Sequence, residues 1–171
     1  MNEHHGKTTF KGAPLTLIGN ELNVGQTAPD AVLLANDLTE VKLSDYRGRV
    51  CVVSVVPSLD TRVCDAQTRR FNEEATTLGG DVAVLTVSMD LPFAQARWCG
   101  AAGVKAVKTL SDHRAAAFGE AYGVLIKELR LLARAVFVVD RDGTIRYARI
   151  VPEMTDEPDY ADVLDTIGRL V

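Results

Sequence analysis

Pro57, Thr61 and Cys64 stand where an apolar run ends and an amphipathic stretch begins, and a thiol at that spacing suits the chemistry of an ionised sulfur at a helix start. The run from Arg49 to Val56 is short and β-branched, the signature of a buried strand, and Pro57 forbids its ladder from continuing. Beyond the turn, Val63, Ala66, Gln67, Phe71, Ala75 and Leu78 recur at helical spacing, with Arg69, Arg70, Glu73 and Glu74 mostly on the other faces. A helix is therefore predicted to begin near Asp60 or Thr61, with Cys64 in its first turn.

A thiol of ordinary acidity, pKa ~8.5, is only about 3% ionised at neutral pH, so full ionisation raises its reactivity by roughly 30-fold at most. Unpaired amides and the positive end of the helix dipole favour the thiolate at this position. Attack on an O–O bond also needs fixed donors for the charge that builds on the departing oxygen. Thr61, one helical turn before Cys64, is expected to bring its hydroxyl beside the sulfur. Asp65 opposes the thiolate, so a cation is expected from elsewhere in the fold.

The other two cysteines of the chain read differently. Cys51 lies inside the apolar strand and is expected to be a small buried hydrophobe. Cys99, in Arg97-Trp98-Cys99-Gly100, sits late in a helix opened by Pro92, where the dipole disfavours a thiolate. It is either a packing residue beside Trp98 or a partner that attacks an oxidised Cys64; bridging would need the Cα atoms within about 7 Å. No C-x-x-C spacing exists and His113 stands apart, which disfavours a zinc site and a dithiol exchanger. Ser58, Asp60 and His113 lack the G-x-S-x-G frame of a hydrolase. No metal and no cofactor are expected.

The elements that must position these residues follow from the rest of the chain. Its 171 residues, 47% hydrophobic and 25% charged, are expected to form a single domain over 1–171, with 1–7 a flexible tail that includes His4 and His5. A net charge of −4 without a basic cluster argues against nucleic acid, and the apolar runs are too short to span a bilayer. Three cysteines do not make a secreted disulfide framework, so a cytoplasmic protein is expected. Hairpins are predicted across Gly12-Ala13-Pro14, Asn36-Asp37 and Asp140 to Gly143, strands at Val82 to Ser88 and Val107 to Leu110, and helices at Phe93 to Ala102, Ala115 to Tyr122 and Tyr160 to Leu170. That order points to an α/β fold of thioredoxin-like architecture: a mixed central sheet, helices on both faces and an N-terminal β-hairpin extension.

Two linked motifs carry a family resemblance. Pro57-Ser58-Leu59-Asp60-Thr61-Arg62-Val63-Cys64, followed by Asp90-Leu91-Pro92-Phe93-Ala94-Gln95-Ala96-Arg97-Trp98-Cys99-Gly100, resembles the thiol peroxidase subfamily of atypical two-cysteine peroxiredoxins. The likeness runs from about residue 8 to the C terminus and includes Ala133-Arg134-Ala135-Val136 and Glu157-Pro158-Asp159-Tyr160. It implies that Cys64 is the peroxidatic nucleophile, that Thr61 orients peroxide, that Pro57 shields the pocket, that Arg134 supplies the missing cation and that Cys99 resolves Cys64 as an intramolecular disulfide. It further implies reduction of hydrogen peroxide and of alkyl and lipid hydroperoxides, thioredoxin as electron donor, and a homodimer. The competing expectation is a peroxide-responsive redox sensor or partner-binding module, in which the same disulfide alters a surface instead of completing a cycle.

Overall fold

The β-branched run lies inside a seven-stranded sheet, with strands hydrogen-bonded on both of its edges. The computed structural model describes residues 1–171. In chain order its elements are β1 (Glu3–Phe10), β2 (Ala13–Ile18), β3 (Val32–Leu34), β4 (Glu40–Lys42), a 3-10 turn (Leu43–Tyr46), β5 (Val50–Val55), α1 (Arg62–Leu78), β6 (Val82–Ser88), α2 (Pro92–Ala102), β7 (Lys108–Ser111), α3 (Ala117–Ala121), β8 (Leu125–Ile126), β9 (Ala135–Val139), β10 (Ile145–Ile150) and α4 (Tyr160–Gly168). The strand order is β10-β9-β5-β6-β7-β3-β4. β5, β6 and β7 run parallel, joined through α1 and α2, and β9 closes on β5 in antiparallel register with Val53 opposite Phe137. Every residue of β5 is buried because both faces of the sheet are covered.

Period-two alternation divides the core. Val50 and Val52 pack with Phe71 of α1, Val136 and Val138 of β9, and Val163 and Ile167 of α4. Cys51, Val53 and Val55 face the opposite layer with Phe118 and Tyr122 of the α3 region and Leu17 of β2. The thioredoxin-like architecture expected from the element order is thus present. No helix is long and apolar enough to cross a membrane.

Two expectations need correction. Residues 1–7 are not a tail: β1 begins at Glu3 and pairs with β2, with Glu3 opposite Ile18 and His4 opposite Leu17. Its outward side chains are mostly polar, so the segment carries no apolar period, and backbone pairing with β2, joined by side-chain hydrogen bonds such as that from the buried Thr8 hydroxyl to the Val151 carbonyl, makes it a strand. β2 also pairs with β8, a two-residue strand that no pattern in the sequence announces. The buried face of α1 is also rotated from the expected one. Cys64, Gln67, Thr68 and Phe71 face inward, while Ala66 is exposed and Val63 half-buried. Polar Gln67 and Thr68 can be buried because their hydrogen bonds are made inside the protein.

Candidate active site

The chain leaves the sheet at buried Pro57, turns through Ser58 to Thr61 and enters α1 with Thr61 as its N-cap, in extended conformation at φ −95° and ψ 147°. Cys64 is the third residue of the helix, where the amides have no intrahelical acceptor. The Thr61 hydroxyl takes a partner other than the expected one. Its N–H and its Oγ–H both donate to the Ser58 carbonyl at 3.1 Å, closing the turn, and no hydrogen bond joins it to the sulfur. Ser58 is held in turn by Asp90, at the entrance to α2. The Asp90 carboxylate accepts the Ser58 hydroxyl at 2.7 Å, the Leu59 amide at 2.8 Å and the Ser88 hydroxyl at 2.7 Å.

The Cys64 side chain has no exposed surface and packs with Val56 and Leu59, flanked by Trp98. Arg134 reaches it from just before β9, its Nη2 donating to Sγ at 3.3 Å. The rest of the guanidinium fork is fixed: Nε and Nη2 donate to the Met154 carbonyl at 2.9 and 2.8 Å, and Nη1 to Gln67 Oε1 at 2.9 Å. Gln67 Nε2 donates onward to Ser54 Oγ in β5 at 2.7 Å, so one chain of bonds joins sheet, helix and cation. Arg134 is buried, and of its three partners only the sulfur can carry a balancing negative charge. A buried cation without a carboxylate is the complement of an anionic sulfur, and it can equally meet an oxyanion formed beside that sulfur.

Asp65 does not face the sulfur unopposed. Its Oδ2 accepts Arg69 Nε at 2.8 Å and its Oδ1 accepts the Trp98 indole N–H at 2.9 Å, so the carboxylate is spent on α1 and α2. Cys99 is half-buried and unbonded to another sulfur. Its Sγ lies 3.4 Å from Thr109 Oγ1, and that hydroxyl donates to Asn36 Oδ1 at 2.9 Å. With the Thr109 proton committed to Asn36, Cys99 must be the S–H donor, directed at β7 and away from α1. Cys51 matches its expected bland role: it is buried on the sheet face opposite α1, and burial pushes its thiol up to about 12.

The structure therefore joins Cys64 directly to Arg134, sets Pro57 and Thr61 in the loop that delivers Cys64, and leaves Cys99 apart on α2. Sequence reasoning did not single out Ser54, Gln67, Asp90 or the Met154 carbonyl as parts of this site. Two of them carried a signal. Ser54 interrupts a run of valines, and Gln67 falls on an apolar helix face, and polar residues at such positions need buried partners.

Comparison with known proteins meets this geometry from outside. The family model described as Redoxin matches residues 23–164. A thiol peroxidase of Bacillus subtilis is 60% identical over 95% of this chain and 97% of its own length. One of Staphylococcus aureus is 58% identical over 89% of this chain and 92% of its own. A crystal structure of a peroxiredoxin-like protein from Aquifex aeolicus superposes with a TM-score of 0.91 at 42% identity, covering 98% of this chain and 99% of that one. With a helix-start cysteine bonded to a buried arginine inside a thioredoxin-like sheet, and with that degree of likeness along nearly its whole length, the chain belongs to the thiol peroxidase subfamily of the peroxiredoxins.

Proposed function

We propose that this thiol-dependent peroxidase works through Cys64 as nucleophile, Arg134 as the charge-stabilising donor and Cys99 as resolver. The observation that carries the reading is the hydrogen bond from a buried, carboxylate-free guanidinium to the sulfur of a helix-start cysteine. The Cys64 thiolate attacks the terminal oxygen of a hydroperoxide, the S–O bond forms as the O–O bond breaks, and the expelled alkoxide or hydroxide takes a proton from solvent, matching the one released when the thiol ionised. Arg134 meets the oxyanion as it leaves. Thr61 already donates its hydroxyl proton to Ser58, so its free lone pairs accept the hydroperoxide O–H and aim the terminal oxygen at the sulfur. Pro57 caps the buried side, and access runs through the loop whose Asp60, Thr61 and Arg62 are exposed.

Cys64 is left as a sulfenic acid. Cys99 then attacks it, the S–S bond forms, and the hydroxyl departs as water with the Cys99 proton, ahead of the irreversible sulfinic step. Since Cys99 points at Thr109, α2 must loosen locally before the sulfurs meet. An external dithiol, on this reading thioredoxin, reduces the disulfide. Hydrogen peroxide and alkyl or lipid hydroperoxides are the substrates, a homodimer the working assembly and the cytoplasm the setting.

Turnover with thioredoxin, thioredoxin reductase and NADPH tests the scheme. Cys64→Ser is expected to abolish peroxide reduction. Cys99→Ser is expected to consume one equivalent and stall. Normal cycling by either variant overturns the corresponding assignment.

A further inference from the structure

Trp98, the one tryptophan of the chain, precedes Cys99 on α2 and packs beside Cys64. Its ring flanks the Cys64, Val56 and Leu59 cluster, whereas its neighbour Cys99 faces Thr109, as the rotation of about 100° between successive helical residues requires. The side of α2 nearest Cys64 is thus occupied by an indole. For Cys99 to reach Cys64, that indole must leave.

What holds it is specific. The indole N–H donates to Asp65, the residue after Cys64, and Arg69, paired with the same carboxylate, lies over the ring at 5.7 Å and reaches the Ala102 carbonyl at 3.4 Å near the end of α2. Other anchors on α2 lie mostly before Trp98. Pro92 and Gln95 are its buried residues, and Gln95 Nε2 donates to Ser88 Oγ at 3.0 Å and to the Leu110 carbonyl at 2.9 Å, which fixes the first half of the helix. In the half that carries Cys99, the charge-assisted bond to Asp65 is the polar tie to α1 that must break for α2 to loosen.

We infer that the Asp65–Trp98 hydrogen bond is a latch that sets how fast Cys99 is released to the oxidised Cys64, which makes both side chains positioning residues of the disulfide-forming step. The inference rests on the roles proposed above for Cys64 and Cys99. While the latch is closed, α2 stays folded and the Cys64 pocket keeps the shape that receives peroxide. Once Cys64 is a sulfenic acid, the latch slows the condensation that forms the S–S bond and expels water, prolonging the interval in which a second peroxide can overoxidise it.

The test mixes the reduced, full-length protein with one equivalent of hydrogen peroxide, alkylates free thiols at intervals and reads the disulfide fraction by intact mass. Peroxide loss is followed in parallel to isolate the first step. Trp98→Phe keeps an aromatic ring while removing the donor and part of the indole's packing area; Asp65→Ala leaves the indole in place and removes the acceptor. Each is expected to speed disulfide formation about tenfold, the cost of one hydrogen bond to a charged group, and to change the first step far less. Each should also lower the sulfinic fraction under excess peroxide. Asp65→Asn keeps an acceptor for the indole and should stay near the parent rate, which separates the bond from the charge. The double variant Trp98→Phe with Asp65→Ala should be no faster than either single one. Parental rates in both single variants, Asp65→Asn as fast as Asp65→Ala, or multiplying effects in the double variant overturn the latch alone. A parent protein that forms no Cys64–Cys99 disulfide takes down the resolver assignment, and the latch with it.

Discussion

Arg134 gives the sulfur more than a charge. Its fork makes four donor contacts in three directions, so the Nη2–Sγ bond has a fixed line, and a lysine could supply only a compact point charge there. Arg134→Met is expected to slow Cys64 oxidation by about 10²–10³-fold, the scale of losing one oxyanion donor, and to slow reduction of the disulfide much less. Stopped-flow oxidation and a separate reduction assay check this; equal slowing of both would mean a folding defect. Gln67→Ala should act through the same fork. It strips an acceptor from Arg134 Nη1 and a donor from Ser54, costing about 1–3 kcal/mol in urea unfolding and lowering the oxidation rate with it. At this scale the sequence was legible where chemistry is local. The spacing of Pro57, Thr61 and Cys64 was enough to place the thiol in the first turn of a helix, but the partner of the Thr61 hydroxyl depends on a carbonyl whose direction no pattern encodes. Arg134 comes from 70 residues further along the chain and entered by family likeness alone.

Asp90 joins elements as Arg134 joins atoms. It stands at the end of the β6–α2 connection, yet its carboxylate collects donors from the Cys64 loop and from the last residue of β6. Asp90→Ala leaves the Ser58 and Ser88 hydroxyls and the Leu59 amide without their acceptor. It is expected to cost about 2–3 kcal/mol of stability and to slow the first oxidation by misplacing Thr61, both measurable on one preparation by urea unfolding and peroxide consumption. Overproduced stability loss with an unchanged oxidation rate would confine Asp90 to folding. The long apolar strands β5, β6 and β9 and the proline start of α2 were readable because burial on both faces leaves an unbroken apolar run and because proline suits a first helical position. β1 and β8 were not, being held by backbone pairing with little apolar signal of their own or with too few residues to show a period. The rotation of α1, which buries Thr68 and exposes Ala66, and the hydrogen bonds that let Gln67 stay buried depended on partners in β5 and before β9 that only the assembled sheet brings near.

Across the whole molecule, the acid groups pull stability in two directions as pH changes. Asp37, Glu128 and Glu153 are held below the usual carboxylate range by hydrogen bonds from Thr39, Thr16 and the Thr155 amide. Such groups stabilise the fold above that range, and their contribution is lost as pH falls through their folded values. Asp112 runs the other way. It follows β7, is buried, and accepts the amides of Phe118 and Gly119 at 3.1 and 2.8 Å at the start of α3; burial outweighs those bonds and pushes its carboxyl up from 3.8 to about 6. Between those two values the folded protein keeps a proton that the unfolded chain releases. The Asp112 contribution to stability is therefore fully present below about pH 4 and falls by up to about 1.4 kcal/mol per pH unit until the folded group has also ionised. Asp112→Asn cannot ionise, so in urea unfolding at pH 4.5 and pH 7.5 its stability relative to the parent should improve at the higher pH by roughly 2 kcal/mol. A shift in the opposite sense would mean that the two α3 amides, reinforced by the start of the helix, outweigh burial and hold Asp112 as an anion. The parent would then gain stability from Asp112 as pH rises, and the carboxylate would count with Asp37, Glu128 and Glu153 instead of against them.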